Sequence, residues 1–152
     1  EVDENFKAYG VANHRHTPEI EQELSALAGE DVVVSFTPHL VPMKRGMMCT
    51  SYLKLRNTDW TNKSLYELYR EYYKDEFFVR VLEPGTLPET KNVSGSNFID
   101  ISVNYDKRTN RAIVVSALDN LGKGAAGQAV QCLNIMLGIN ETTGLRHPAF
   151  YL

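Results

Sequence analysis

Cysteine and long apolar runs are scarce in this chain of 152 residues. The two cysteines, Cys49 and Cys132, stand in apolar surroundings and form no metal-type or redox-type cluster. This predicts buried, unreactive thiols in a reducing compartment, the cytoplasm, with a disulfide between them as the alternative. No apolar run approaches the roughly 18 residues of a membrane-spanning helix, and no secretory signal is visible. We therefore expect no membrane as a partner.

An excess of charge of one sign is also missing. The 16 basic and 19 acidic residues are interspersed and leave a net charge of −3, so no broad basic surface is available for nucleic acid. A GxGxxG turn after a first strand is absent, so the chain is not itself a dinucleotide-binding domain. The length suits one domain with a real core. Because the chain opens on Glu1 in a polar segment, a longer native protein stays an open alternative.

Hydrophobic periodicity and turn signals predict an α+β fold, with a mixed, mostly antiparallel sheet, helices on one face and a separate C-terminal helix. Strands are predicted over 31–37, 46–56, 77–82, 98–105 and 111–118, and helices over 17–28, 64–74 and 123–138. Apolar helix faces are predicted from Leu65, Leu68, Tyr69 and Tyr72, with Ser64 as the cap, and from Ala126, Val130, Leu133 and Leu137. The long loop over 83–96 is of a length that is more often functional than idle.

Two of the four histidines, His14 and His16, lie one residue apart just before a helix start. Thr17 is predicted as the N-cap and Pro18 as the first helical residue, so the loop is attached to a rigid element. Both imidazoles could face one cleft, and imidazole titrates near neutral pH, which makes both candidates for acid/base catalysis. The alternatives are a surface loop with local hydrogen bonds, or a metal site with His39 that no spaced Asp, Glu or Cys completes.

Two further segments offer polar groups for a substrate. Arg45 lies between a loop and a strand, where it could clamp a carboxylate or phosphate through two hydrogen bonds, or only guard a sheet edge. Gly95, Ser96 and Asn97 end the long loop, where glycine allows close backbone approach and the other two offer adaptable polar groups. The alternative for this triplet is a turn with local side-chain bonding.

The segment 119–127 opens a helix with small residues. Such a helix start exposes free backbone N–H groups and lets a ligand approach closely, although tight packing on a neighbour also requires small residues. The spacing is not that of a Walker phosphate loop. The candidate ligand-binding residues here are Asn120, Lys123, Gly124, Ala126 and Gly127.

Taken together, these motifs resemble the C-terminal part of the N-acetyl-γ-glutamyl-phosphate reductases, the NADPH-dependent enzymes of arginine biosynthesis. The order and spacing of the short motifs make the resemblance specific. They are residues 14–20, 36–38 with 45–46, 95–97, 119–121, 123–131 and 141–145. The fold that this implies is similar to the C-terminal domain of the glyceraldehyde-3-phosphate dehydrogenases.

The resemblance also implies a division of labour along the chain. Residues 1–118 would bind substrate and form a homodimer or a higher homo-oligomer, and 119–152 would carry a helix that packs on a nucleotide-binding domain. That domain, with the catalytic cysteine in a Gly-Cys-Tyr context, has no match here, so this chain alone is expected to be inactive.

The implied mechanism assigns roles to the candidate residues. The external cysteine thiolate would displace phosphate from the acyl phosphate to give a thioester, and hydride from NADPH would reduce this to the semialdehyde with release of the thiolate. His14, or alternatively His16, would be the acid/base, Arg45 and residues 95–97 would bind substrate, and residues 120–127 would lie against NADP. The alternatives are a reductase of aminoadipate or aspartyl phosphate, and a dimerisation module without catalysis.

The expected sheet points to association as well. If its outer face carries Met48, Tyr52 and Phe98, helices from one chain cover only the other face, so a second copy is expected to cover this one. The alternative is that water covers it, as in many antiparallel sheets.

Overall fold

The computed structural model describes residues 4–150, and the chain divides into two compact units, Glu1–Lys44 and Arg45–Leu152. The first unit contains β1 (Lys7–Ala8), α1 (Thr17–Ala28) and β2 (His39–Leu40). The second contains β3 (Met47–Lys54), α2 (Asn62–Tyr72), β4 (Val79–Val81), β5 (Ile99–Asp106), β6 (Arg111–Leu118) and α3 (Gly127–Met136), with a 3₁₀ turn over Thr90–Asn92 and a π-helical turn over Gly122–Ala126. No helix within residues 4–150 is long and apolar enough to cross a membrane.

Helix α1 has the predicted extent but a different cap. Thr17 is its first helical residue, and His16 occupies the N-cap position without a side-chain cap hydrogen bond. The reason is that the chain already turns one residue earlier, since the N–H of Thr17 donates to the carbonyl of His14 at 3.0 Å. Gly29 ends the helix in the left-handed region, at φ +70°, as the sequence indicates.

The segment 31–37 was predicted as a buried strand, and this is wrong for the part of the chain that the structure describes. The segment is extended but belongs to no sheet there, and Val33 is 85% exposed. Its N–H groups at Val32 and Val34 donate instead to the side chains of Ser25 and Glu21 on α1, at 2.9 and 3.0 Å. The apolar pattern identifies strand-like side chains but does not supply a partner for the backbone.

The sheet of the second unit has the strand order β3-β6-β5-β4. Strand β6 pairs antiparallel with both β3 and β5, whereas β4 pairs parallel with β5. The predicted mixed, mostly antiparallel sheet is thereby confirmed. The register places Met47 of β3 and Ile99 of β5 on either side of Leu118, so the C-terminal end of β6 meets the start of β3 and β5.

Helix α2 covers one face of this sheet and forms the core with it. Leu65 packs on Val103 of β5 and Ala112 of β6. The helix begins at a reciprocal capping box, in which Thr61 is the N-cap and Ser64 is the third helical residue, so the predicted cap at Ser64 is wrong by three positions. Leu68 and Tyr72, expected on the buried face, are 50% and 71% exposed.

A different residue takes the place of those two in the core. Tyr66 is buried, and its hydroxyl donates to Glu83 at 2.6 Å. Because this hydrogen bond satisfies the phenol, the ring can face inward although the apolar pattern does not include it.

Strand β3 was expected to have one solvated face, yet all eight of its residues are exposed. It is an edge strand, and the core formed by α2 centres on β5 and β6. Its Cys49 is therefore exposed, and Cys132 on α3 is exposed as well. The prediction of buried thiols is wrong, because apolar neighbours in sequence are themselves exposed here.

Helix α3 turns its polar side inward. Its buried residues are Gln131 and Asn134, whereas Val130, Leu133 and Leu137 of the predicted apolar face are 41%, 52% and 63% exposed. Hydrogen bonds explain the inversion, since both amides have partners in the surrounding loops. The apolar face is consequently left largely without cover from the described residues.

Candidate functional site

In the first unit, His14 is enclosed by aromatic rings. It is half-buried, and its imidazole meets Tyr9, His16 and Phe36 edge-on at centroid distances of 5.3, 5.0 and 5.2 Å. The backbone N–H of His16 donates to Nδ1 of His14 at 3.3 Å. In neutral His14 the proton is therefore on Nε2. A Cβ on Gly10 would lie 2.9 Å from the His14 ring, so that glycine leaves room for it.

The other histidine of this unit, His39, stacks on Phe6 with ring centroids 5.1 Å apart. Within residues 4–150, no group of three or more His, Cys, Asp or Glu side chains is arranged to hold a metal ion. Of the two candidate acid/base residues, His14 is the more tightly held and His16 is exposed.

In the second unit, the carboxylate of Asp119 organises the candidate residues. Asp119 follows β6 directly and is fully buried. Its Oδ1 accepts hydrogen bonds from the N–H groups of Leu121 and Gly122, at 2.8 and 3.0 Å. Its Oδ2 accepts one from the N–H of Gly95 and lies 2.8 Å from Nε of Arg45. One buried anion thus holds three separate segments of the chain.

The ionised state of Asp119 follows from these contacts. Burial, the largest single influence, favours the protonated acid, but it is outweighed by the hydrogen bonds from Gly95 and Gly122, the neighbouring Arg45 and the hydrogen bond from Leu121. Together they hold the pKa of Asp119 below its usual value. Asp119 is therefore an anion at neutral pH and compensates the charge of Arg45.

A second contact reinforces the first. Oδ1 of Asn120 accepts a hydrogen bond from the N–H of Gly46 at 2.7 Å. Arg45 and Gly46 are consequently held by two successive residues, Asp119 and Asn120. The Arg45 side chain is still 32% exposed, so part of the guanidinium is available to a ligand.

A chain of side-chain hydrogen bonds fixes the orientation of Asn97. Glu141 accepts from Nε2 of Gln131 at 2.8 Å, so Oε1 of Gln131 is an acceptor. That oxygen accepts hydrogen bonds from Nζ of Lys123 at 2.7 Å and from Nδ2 of Asn97 at 2.9 Å. Asn97 Oδ1, which is buried, has no hydrogen-bond donor among the described residues.

Desolvation changes the acidity of the lysine in this chain. Burial lowers the pKa of Lys123 below its usual value, against the opposing influence of Glu141. Its Nζ also lies 5.5 Å from the centre of the Phe78 ring. The ammonium is therefore directed into the protein and is more easily deprotonated than a surface lysine.

Beside Asn97 lies a cavity of about 270 Å³. It is lined by Gly95, Ser96, Asn97, Gly122, Ala126, Gly127, Val130, Leu145 and His147. The two helix-start glycines are required by close approach: a Cβ on Gly122 would lie 2.7 Å from the carbonyl oxygen of Ser96, and one on Gly127 would lie 2.3 Å from Oδ1 of Asn97. The cavity can accept a small, mostly apolar group.

Ser96 has a local role in the same loop. Its hydroxyl donates to the carbonyl of Val93 at 2.8 Å and accepts from the N–H of Phe98 at 3.3 Å. Gly95 adopts φ +75° and lies against Phe150, where a Cβ would collide with the ring. Both residues thus form the turn that presents Asn97.

The structure brings most of the candidates together. Arg45, residues 95–97 and residues 120–127 surround Asp119 and the cavity in the second unit; Gly124 is exposed beside Leu118 and Ala126 lines the cavity. His14 and His16 belong to the first unit.

Sequence reasoning did not select two central residues of the second unit. Asp119 could have been identified, because an Asp followed by a loop and a glycine after a strand is typical of side-chain bonding to backbone N–H groups. Gln131 gave no signal, because a polar residue on an amphipathic helix is normally assigned to the solvent side.

Comparison with known proteins gives the family. Residues 1–120 match the family model described as semialdehyde dehydrogenase, dimerisation domain. The chain is 66% identical over all of its length to a protein of Acetivibrio thermocellus named N-acetyl-gamma-glutamyl-phosphate reductase, and covers 44% of that protein. A protein of Desulforudis audaxviator with the same name is 57% identical over 99% of this chain and 43% of its own. The chain thus spans less than half the length of these relatives.

Solved structures show the same fold at low identity. Aspartate semialdehyde dehydrogenase from Francisella tularensis aligns over 88% of this chain and 40% of its own with a TM-score of 0.67 at 17% identity. Aspartate semialdehyde dehydrogenase II from Vibrio cholerae aligns over 82% of this chain and 37% of its own with a TM-score of 0.65 at 16% identity. They confirm the α+β fold, and the resemblance to the reductases is confirmed by the named relatives. With its first 120 residues matched by the family model, the chain belongs to the semialdehyde dehydrogenase dimerisation-domain family.

Proposed function

We propose that this chain is the C-terminal part of a cytoplasmic, NADPH-dependent N-acetyl-γ-glutamyl-phosphate reductase of arginine biosynthesis. The observation that carries the proposal is the 66% identity over the whole chain to a relative of that name. The nucleotide-binding domain and the catalytic cysteine would lie in the rest of the protein, since this chain covers 44% of that relative.

The residues of the second unit fit one end of the cofactor. The cavity beside Asn97 is lined largely by small residues, among them Gly122, Ala126 and Gly127, so a flat ring such as nicotinamide could approach the backbone there. When bound, NADPH would supply the hydride. Asn120, Lys123, Gly124, Ala126 and Gly127 would form one wall of this subsite, with most cofactor contacts elsewhere in the protein.

Arg45 is suited to the anionic substrate. Its Nε faces Asp119, while a third of the side chain is exposed, so the outer edge of the guanidinium can bind a carboxylate or phosphate. The turn formed by Gly95 and Ser96, which presents Asn97, would lie on the same side of the substrate as Arg45. Because Asp119 compensates its positive charge, Arg45 would bind the substrate mainly through directed hydrogen bonds and less through its net charge.

His14 would move the proton. Its Nδ1 accepts from the backbone of His16, so Nε2 is the atom that can give and take a proton. The surrounding rings of Tyr9 and Phe36 restrict the orientation of the imidazole. His16 is the second candidate for this role.

The rest of the second unit would bury its exposed apolar surfaces against other parts of the assembly. The uncovered face of α3, with Leu133 and Leu137, would pack on the nucleotide-binding domain, in line with the proposed boundary between 1–118 and 119–152. The face of β3 with Met48 and Tyr52 would meet a second copy to form a homodimer, as the family description suggests.

The activity assay compares three substrates. Full-length protein is mixed with NADPH and N-acetylglutamyl phosphate, N-acetylaminoadipyl phosphate or aspartyl phosphate, and NADPH oxidation is followed. We expect the first to be reduced with the highest kcat/KM. Preference for either of the others would replace the proposed substrate with the related one, and no oxidation with any of them would favour the non-catalytic module.

A further inference from the structure

Asp119 touches both sides of the proposed site without facing the cavity. Its Oδ2 holds Arg45 and the N–H of Gly95, which belong to the proposed substrate side. Its Oδ1 holds the N–H groups of Leu121 and Gly122, which begin the proposed cofactor side. Asp119 therefore accepts three backbone hydrogen bonds, and its fourth contact is the ion pair with Nε of Arg45.

The burial of this carboxylate makes its contacts obligatory. Asp119 is fully buried, and an unpaired charge at such a position is costly, so all three segments must stay in place for the anion to be satisfied. A neutral amide at this position would retain an oxygen for two N–H donors. It would direct an NH₂ group at Arg45 and Gly95, which are themselves donors.

We propose that Asp119 is a positioning residue that sets the distance between the bound acyl phosphate and the reduced nicotinamide by anchoring Arg45, the Gly95 turn and the start of the 122–127 segment on one carboxylate. The inference rests on the proposed function, because it assigns those segments to substrate and cofactor. Asp119 itself contacts neither ligand.

A matched control is available in the same unit. Asp100 is also buried, with 3% exposure, and its Oδ1 pairs with Nε of Arg80 at 2.6 Å. The change Asp100→Asn therefore removes a buried aspartate–arginine pair as Asp119→Asn does, but one that makes no direct contact with a candidate residue in the described part of the chain. Because Asp119 also accepts three backbone hydrogen bonds, its variant should lose more stability, so the comparison depends on KM and on local exchange.

The test compares both variants in the full-length enzyme. We expect Asp119→Asn to raise KM for N-acetylglutamyl phosphate by roughly tenfold to a hundredfold, because Arg45 and the Gly95 turn lose their orientation. The KM for NADPH should rise less, because most of its contacts lie outside this chain. Asp100→Asn should leave both KM values within about twofold of wild type.

Hydrogen exchange gives a second readout that does not depend on activity. In Asp119→Asn, amide exchange in peptides covering 94–97 and 120–123 should become at least about tenfold faster, and in Asp100→Asn it should not. Wild-type KM and wild-type exchange in Asp119→Asn, or an equal rise of KM in Asp100→Asn, would overturn the positioning role. A wild-type enzyme that reduces no N-acetylglutamyl phosphate would instead overturn the proposed function, and exchange alone would then decide the anchoring role.

Discussion

Two glycines of the second unit differ in the room that their surroundings leave for a Cβ atom. Gly124 and Gly127 lie three positions apart at the start of the last helix. A Cβ at Gly127 would lie 2.3 Å from Oδ1 of Asn97, whereas one at Gly124 would come no closer than 3.3 Å, to the flexible end of Leu118. The two positions therefore form a matched pair for substitution.

We expect Gly127→Ala to lower the free energy of unfolding by about 2 kcal/mol, because Asn97 must move and its hydrogen bond to Gln131 is lost. Gly124→Ala should change it by less than about 1 kcal/mol. Urea unfolding of the full-length protein measures both. Equal losses in the two variants would show that the approach of Asn97 to Gly127 is not a constraint.

The two histidines can also be separated by substitution. His14→Asn should lower kcat by about a hundredfold or more, the usual effect of removing an acid/base group, whereas His16→Asn should have a smaller effect. Steady-state kinetics with N-acetylglutamyl phosphate measure this, and circular dichroism controls for folding. If only His16→Asn were impaired, the role would belong to His16, and two active variants would refute both assignments.

The candidate site was only partly accessible from the sequence at this scale. The motifs around Arg45, Asn97 and Gly127 could be selected, because each combines a polar group with a permissive backbone. The local sequence of Asp119 indicates bonding to nearby backbone N–H groups, but it gives no signal for the contacts with Arg45 and Gly95, which are distant in sequence.

At the scale of elements, hydrogen bonds at the ends of helices stabilise the fold, and the periodicity of apolar residues does not indicate them. Helix α2 starts with a reciprocal pair: the N–H of Ser64 donates to Oγ1 of Thr61 at 3.0 Å, and the N–H of Thr61 donates to Oγ of Ser64 at 2.9 Å. Two N–H groups that would otherwise lack partners are satisfied. The residues just before the apolar run therefore set the start of this helix.

Thr61→Ala should cost about 1 kcal/mol of stability, because it removes one half of this pair. Lys63→Ala is the control in the same turn, since its side chain is 81% exposed, and it should change stability by less than about 0.5 kcal/mol. Thermal unfolding followed by circular dichroism compares the two. An unchanged midpoint in Thr61→Ala would mean that water replaces the cap without cost.

Strands were predictable where an alternating apolar pattern or a local turn marks them, as in β3, β5 and β6. The hairpin of β5 and β6 has the expected limits within one residue, because its turn and its alternating pattern are local signals. The segment 31–37 has the composition of a strand, yet its backbone donors go to α1. Composition reports which side chains favour extended structure, whereas pairing depends on the rest of the fold.

At the scale of the whole molecule, exposed apolar side chains indicate which surfaces are covered in the assembly. Met48 and Tyr52 lie on the same face of β3 and are 50% and 65% exposed. The proposed homodimer would bury this face. Tyr72 on α2 is similarly exposed, at 71%, but lies outside the proposed interface.

Tyr52→Glu should weaken dimer association by roughly a hundredfold, because it places an unpaired carboxylate in the interface. Tyr72→Glu should leave association unchanged. Light scattering of the full-length protein over a range of concentrations gives both values. A wild-type protein with the mass of one chain would mean that water covers this face and would remove the proposed dimer.

The pairing of β3 with β6 has a consequence for how the protein is made. Met47 pairs with Leu118 and Lys54 with Arg111, so the ladder of β3 cannot form until α2, β4, β5 and β6 have all left the ribosome. During that interval β3 presents an unpaired backbone together with Met47, Met48 and Leu53. Pairing over such a separation is slow and leaves nascent chains open to aggregation. A chaperone that binds short apolar segments would therefore engage β3 before β6 pairs with it.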